Sequence, residues 1–348
     1  MKDVAEFRIT RISSTAVSSN NYVSTENMQQ NFEGVTSAQN VPVCGNIIKF
    51  SREDILISNI RPYLKKIWFA DRDGGCSADV MVLKCSNKLN KRFLYYALAN
   101  NRFISHVMAG AKGVKMPRGD KEQILNFPIG TPSLAEQNRI SELLSLLDQR
   151  ISIQNKVIEK YESLIKALYK NLIPRDVNKT AELGTFVQIC KGKQLNGEFL
   201  SDDGKYYVMN GGITPSGYYD DYNTPAGTIS ISEGGNSCGF VQFNEMPFWS
   251  GGHCYTLLKT DDERIQYKFL YHFLKSKQDD IMALRIGSGL PNIQKKDIRI
   301  YPVPILPYYY QIAITKILDA VCQHIEIERA ILEGVTLQKQ YLLQTLFI

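Results

Sequence analysis

The chain has 348 residues, more than one ordinary hydrophobic core accommodates and enough for two domains that each bury their own. A hydrophobic share of 44% and a charged share of 22% exclude a disordered or low-complexity polypeptide. The formal net charge of +6 suits an anionic partner but does not identify one.

Nothing in the sequence approaches the roughly 20 apolar residues of a membrane span. The opening MKDVAEFRIT has no apolar run behind a basic leader, so a cytoplasmic protein with no membrane partner is expected. Seven cysteines (Cys44, Cys76, Cys85, Cys190, Cys238, Cys254, Cys322) include no CxxC pair, and four histidines show no ligand spacing. Buried reduced thiols and no metal are the expectation.

In chain order, residues 55–58 (ILIS) and 80–83 (VMVL) are β-branched runs between turn residues and read as strands. The segment 93–98 (FLYYAL) lacks turn residues and reads as helix. AGAKGVKMPRGDK at 109–121 then brings Lys112, Lys115, Arg118 and Lys121 against Asp120 alone. From there Ile140, Leu144, Leu147, Ile151, Gln154, Ile158, Tyr161, Ile165, Leu168 and Leu172 follow heptad spacing, which predicts a coiled-coil helix stopped by Pro174.

The same series then recurs. Strands are predicted at 228–232 (TISIS) and 255–258 (YTLL), and FLYHFL at 269–274 answers FLYYAL. GGHCYTLLK from Gly251 answers GGCSADVMVLK from Gly74. Leu290-Pro291 answers Met116-Pro117, and Gln311 answers Gln137. RIGSGLPNIQKKDIR at 285–299 repeats the basic stretch with Arg285, Lys295, Lys296 and Arg299 against Asp297. The second heptad stripe is Ile314, Leu318, Val321, Ile325, Glu328, Leu332, Val335, Lys339, Leu342 and Leu346, with its polar break at Glu328 where the first has Gln154. No counterpart of AELGTFVQICKGKQL, which opens the second half, is visible in the first.

A shift of 174 to 176 residues is too long for a solenoid repeat and indicates a duplicated domain plus connector. The expected boundaries are 1–133 and 175–307 for the domains, and 134–174 and 308–348 for the helices. Each helix alone would leave its stripe in water, so the two should pack together. Parallel packing would require the second domain to return the chain about 55 Å, at 1.5 Å per residue. The expected fold is therefore mixed α/β: two similar α/β domains separated by a two-helix antiparallel coiled coil.

Glycine lets backbone approach a phosphate, and Lys or Arg neutralises it, so the two basic stretches are candidate DNA contacts. They contribute Lys112, Lys115, Arg118, Arg285, Ser288, Asn292, Lys295 and Lys296. A second rank comprises Asn59, Arg61, Lys65 and Lys66 in SNIRPYLKKIWF. With them stand Asn210, Thr214, Ser216 and Tyr218 of MNGGITPSGYY and Glu233 and Asn236 of SEGGNSCGF, residue types that read base edges. No catalytic motif is found: GxxxxGK[ST], GxGxxG after a strand, HExxH and GxSxG are all missing, as is the Pro-Pro-aromatic motif of amino-methyltransferases.

FPIGTPSLAEQNRISELLSLLDQRISIQNKVIEKYESLIKALYKNLI from Phe127 resembles the proline, Glu-Gln and Leu-Asp signature of the specificity subunits of type I restriction-modification enzymes. YPVPILPYYYQIAITKILDAV from Tyr301 is a looser copy, with Tyr308 to Tyr310 where Glu-Gln is usual. DILISNIRPYLKKIWFADRDGGCSADVMVLK resembles one class of that family's target-recognition domains. The resemblance implies two target-recognition domains, each reading half of a bipartite double-stranded DNA target. It implies a helix pair serving as ruler and as docking surface for two methyltransferase subunits, with restriction subunits joining them. S-adenosylmethionine, ATP and magnesium would bind those partners, with no cofactor in this non-catalytic chain. The alternative from another class is a coiled-coil scaffold with duplicated protein-binding domains.

If the helices act as ruler, deleting one heptad from each should change the gap between half-sites and leave their bases unaltered. Mapping methylated sites in cells carrying the shortened chain checks this; altered bases at either half would contradict it.

Overall fold

The computed structural model describes residues 1–173, 179–261, 263–287, 289 and 291–347. It divides into two compact units, one comprising 1–155 with 330–348 and the other 156–329. Each holds an α/β portion and a length of both long helices.

The first unit runs through β1 (Ala5–Phe7), β2 (Arg11–Ser13), β3 (Tyr22–Val23), β4 (Asn46–Phe50), β5 (Ile55–Ser58), β6 (Ile67–Phe69), β7 (Gly74–Cys76) and β8 (Val80–Cys85). Three short helices follow, α1 (Lys91–Leu98), α2 (Asn101–Ala109) and α3 (Lys121–Leu125), before the long α4 (Leu134–Leu172). One sheet has the order β1-β8-β5-β6 with every neighbour antiparallel. A second has the order β2-β4-β7-β3. Strand side chains alternate between faces, so β5 and β8 supply two cores. Ile55, Ile57, Met81 and Leu83 pack with Phe93, Leu94 and Leu98 of α1, while Leu56, Val80 and Val82 pack with Phe50, Trp68 and Cys76. Gly74 is required where it stands, because a Cβ there would lie 2.1 Å from the Asn21 carbonyl oxygen.

The second unit continues with β9 (Thr180–Glu182), β10 (Val187–Lys191), β11 (Tyr206–Met209), β12 (Tyr218–Tyr219), β13 (Thr228–Ser232), β14 (Val241–Asn244), β15 (Trp249–Ser250) and β16 (Cys254–Lys259). Then come α5 (Tyr267–Ser276), α6 (Gln278–Ala283), α7 (Lys295–Arg299), β17 (Pro302–Pro304) and α8 (Tyr308–Leu346). Its main sheet, β10-β16-β13-β14, is again wholly antiparallel and repeats the first unit's order strand for strand. Thus β1 holds the sheet position of β10. The first half does have a counterpart of that strand, reduced to three paired residues and therefore invisible to sequence comparison.

Where each long helix begins, a glutamine is buried. The Gln137 side chain accepts from the Asn90 N–H at 2.9 Å and donates to the Pro132 carbonyl at 2.8 Å. Gln311 accepts from the Gln266 N–H at 2.8 Å and donates to the carbonyls of Leu306 at 2.8 Å and Arg264 at 2.9 Å. Asn90 and Gln266 are in turn the N-caps of α1 and α5. One amide side chain therefore satisfies the backbone groups of a cap and of the preceding loop, the condition for burying a polar group.

Within the first unit Leu144 and Leu147 of α4 are buried against Val335 and Leu343 of α8, with Ile140, Ile151 and Leu342 at the margin. Ile140 shares a cavity with Leu346 and Phe347, whereas Asp148 meets Lys339 at 2.5 Å, so the helices run antiparallel. Asp148 also accepts from the Tyr96 hydroxyl at 2.7 Å, tying α1 to the pair. Lys339, polar in an apolar stripe, is thereby accounted for.

The second unit pairs its helix lengths likewise. Ile165 is buried with Ile314, Leu318 and Ile325 while Leu168 and Val321 flank them, and Ile158 is buried too. Tyr161 stacks on His324, and Glu162 meets Arg329 at 2.6 Å. His272 of α5, with no exposed surface, reaches both helices: Nε2–H donates to the Asp319 carboxylate at 2.9 Å and Nδ1 accepts from the Tyr169 hydroxyl at 3.2 Å. The stripe holds except at its end. Leu332 is half-buried, but Leu346 is exposed and Leu343 takes the seam instead. The helix-stopping Pro174 lies outside the described residues.

Replacing Gln311 with Ala strands the Gln266 N–H and two carbonyls, which should cost about 2 kcal/mol or more in denaturant unfolding. Burial, opposed by Asp319 and reinforced by Lys268, holds the pKa of His272 below its ordinary value. The folded state thus prefers the neutral ring. That preference is fully present above the unfolded pKa of about 6.5 and is lost as pH falls below it. Melting temperature should fall with pH through that window, and His272→Gln should remove this component.

Candidate nucleic-acid interface

The basic stretch of the first unit folds back on itself. Lys112 N–H donates to the Arg118 carbonyl at 3.0 Å and Arg118 N–H to the Lys112 carbonyl at 2.9 Å. This hairpin is fastened to the turn after β5 by Arg61 N–H on the Pro117 carbonyl at 2.8 Å and by Gly119 N–H on the Asn59 carbonyl at 3.0 Å. In the second unit Ile286 and Asn292 exchange the equivalent pair, at 2.8 and 3.0 Å. Gly235 N–H bonds the Pro291 carbonyl at 3.0 Å, and Ile293 N–H the Glu233 carbonyl at 2.9 Å. Every one of these residues stands 174 positions from its counterpart, so the repeat extends to individual backbone hydrogen bonds.

Most side chains of the first hairpin point to solvent. Lys112, Lys115 and Arg118 are exposed, as are Val114 and Met116 between them. Lys112 lies 3.4 Å from Asp120, whose carboxyl is held below its ordinary pKa first by the Gln123 N–H of the α3 cap and then by Lys112. Arg118 lies 3.3 Å from Asp79. Such exposed ion pairs are worth little, so a phosphate can displace them at small cost. In the second unit Arg285, Asn292, Lys295 and Lys296 are exposed, the lysines in the first turn of α7. Ser288 and Leu290 lie outside the described residues.

The second-rank candidates separate. Arg61 is exposed beside the hairpin, and Asn59 and Lys65 are half-buried. Lys66 donates to the Thr25 carbonyl at 2.6 Å and burial lowers its pKa, so its ammonium is engaged within the fold. Asn210 accepts from the His253 N–H at 3.1 Å, holding a turn, while Thr214, Ser216 and Asn236 are exposed. Glu233 is buried, accepting from Lys191 at 2.6 Å and from the Tyr255 hydroxyl at 2.9 Å, with His253 Nδ1 3.6 Å away. Lys191, His253 and Tyr255 escaped sequence reading, because β10, a loop and β16 bring them together from distant positions and no local motif marks them.

Among the described residues no group of His, Cys, Asp and Glu is arranged to hold a metal. No described helix is long and apolar enough to cross a membrane. All seven cysteines are free thiols. Cys76, Cys85, Cys238 and Cys254 are buried, and burial pushes the thiol of Cys76 up to about 12. Cys190 and Cys322 are half-buried, whereas Cys44, expected inside, is exposed on the irregular segment before β4.

A protein-family model described as "Type I restriction modification DNA specificity domain" matches residues 1–163 and again residues 174–337. A Mycoplasma pneumoniae protein assigned as a type I specificity subunit is 39% identical over 124 residues, which are 36% of this chain and 33% of that protein. The EcoDI specificity subunit of Escherichia coli is 27% identical over 140 residues, 39% of this chain and 29% of that one. The chain thus spans about a third of the length of these relatives. Among solved structures, the S subunit of a type I restriction-modification system from M. genitalium has the same fold, with a TM-score of 0.69 over 97% of this chain and 96% of that one, at 21% identity.

Proposed function

The chain belongs to the family of type I restriction-modification DNA specificity subunits, and from that premise we propose that it binds a bipartite double-stranded DNA target, one half to each unit. The observation that carries this reading is the hairpin fastened the same way in both units, with basic residues on it in the first unit and beside it, at Arg285 and in the first turn of α7, in the second. Lys112, Lys115 and Arg118 in one unit and Arg285, Lys295 and Lys296 in the other neutralise phosphates and set register. Asn59 and Arg61, and Asn292, Asn236, Thr214 and Ser216, face base edges, with Lys65 a further backbone contact. The recognition domains fall within 1–133 and 175–307, and the stretches 134–174 and 308–348 are the connectors that carry α4 and α8.

The chemistry belongs to partners. Two methyltransferase subunits and the restriction subunits carry S-adenosylmethionine, ATP and magnesium, and this cytoplasmic chain contributes no catalytic group. Ile140, Leu144, Leu147, Ile151, Ile158, Ile165 and Leu168 are covered by the helix pairing, as are Ile314, Leu318, Val321, Ile325, Leu332 and Leu342. They act by holding the pair in shape. Docking itself falls to the exposed apolar residues of the outer faces: Leu143, Leu146 and Ile153 of α4, and Ile317, Ile327 and Leu337 of α8.

Changing Lys112, Lys115 and Arg118 together to Ala should weaken binding to any duplex. It should also lower the slope of log affinity against log salt by up to about 3, since each phosphate contact contributes about 0.9. A slope equal to that of the unaltered chain would remove the hairpin from the interface.

A further inference from the structure

We infer that Arg61 is a specificity-determining residue of the first unit, placed to read a guanine in that unit's half-site; the inference rests on the DNA-reading function proposed above. Arg61 has φ 51° and ψ 63°, the left-handed region that crowds any Cβ. Its counterpart in the second unit is Gly235, with φ 75° and the same N–H hydrogen bond to the hairpin proline carbonyl. A Cβ at Gly235 would meet nothing within 4 Å, so the backbone conformation alone favours glycine there. One repeat therefore meets the geometric demand with the residue that suits it, and the other sets an arginine in a conformation that arginine disfavours.

The fold gains nothing from that side chain. The Arg61 side chain is exposed and makes no hydrogen bond, ion pair or ring contact with any described residue. Backbone strain held with no internal return points to a role outside the fold. The backbone that carries it is fixed: the N–H is bonded to Pro117, and Pro62, buried and next in sequence, begins the 3-10 turn Pro62–Leu64.

Phosphate binding needs no fixed point of attachment, and the lysines of the hairpin already supply it. A planar fork leaving a fixed backbone position suits a directional partner, and the guanine O6 and N7 edge in the major groove is the pair of acceptors that a guanidinium spans. Gly235 offers no side chain at the corresponding place, so the two units, alike in backbone, read different bases.

The test uses the full chain unaltered and as Arg61→Gly and Arg61→Lys, each selecting from a randomised duplex library, with thermal melting in parallel. Arg61→Gly should melt at the same temperature or higher and should lose a guanine preference at one position. It should bind the duplex selected by the unaltered chain roughly ten- to a hundred-fold more weakly, with no change toward unselected duplex. Arg61→Lys, which keeps the charge and loses the fork, should not restore the preference. A lower melting temperature would mean that the side chain serves the fold. An unchanged selection, a lost preference for a base other than guanine, or equal weakening toward both duplexes would each overturn the inference. If the unaltered chain selects no sequence, the DNA-reading function itself fails, a result distinct from all of these.

Discussion

A buried glutamine at the first turn of each long helix fixes how that helix leaves its α/β portion, and the rest of each unit is arranged around this junction. Gln137 and Gln311 are among the most buried polar residues of the chain, and their amides close hydrogen bonds that solvent cannot reach. An amide does this because it carries donor and acceptor on one rigid plane. Once the helix start is set, the apolar stripe falls in place. Leu144 and Leu147 meet Val335 in one unit, and Ile165 meets Leu318 and Ile325 in the other.

Around that junction the two units keep the backbone plan and alter the side chains. Tyr96 with Asp148 and His272 with Asp319 are different chemical answers to one need, a polar link from a short helix to a long one. The face of the main sheet opposite the helices differs as well. The first unit fills it with Leu56, Val80 and Val82, while in the second Ser230 and Thr256 are buried there and Asn244 bonds the Ser230 hydroxyl. Hydrogen bonding of backbone to backbone is blind to these exchanges, which explains why an offset of 174 survives in hydrogen bonds where sequence identity has faded.

Much of this was legible in the sequence where a periodic pattern is long. The heptad stripes marked α4 and α8, and the β-branched runs marked β5, β8, β13 and β16, because burial of a face imposes its period on the residues. Legibility failed where structure rests on few residues or on backbone alone. Three paired residues in β1 leave no pattern, and Arg61 looks like any surface cation until its φ is known. Lys66 reads as a phosphate ligand until the Thr25 carbonyl is found beneath it. The shift of the seam from Leu346 to Leu343 is beyond a fixed heptad, since a 3.6-residue helix drifts from a 3.5-residue repeat.

The fastening that the two hairpins share runs through main-chain atoms, at Lys112 and Arg118, at Pro117 and at Asn59, with the same arrangement in the second unit. That shared attachment does not depend on which side chains the loop displays, provided backbone conformation is kept, and the ion pairs of Lys112 and Arg118 add little to it because they are exposed. On the function proposed above, residues at the tip can be exchanged, and preferences changed by point substitution, while the platform beneath stays as it was. Diversity of recognition would then be a mechanical property of how the loop is moored.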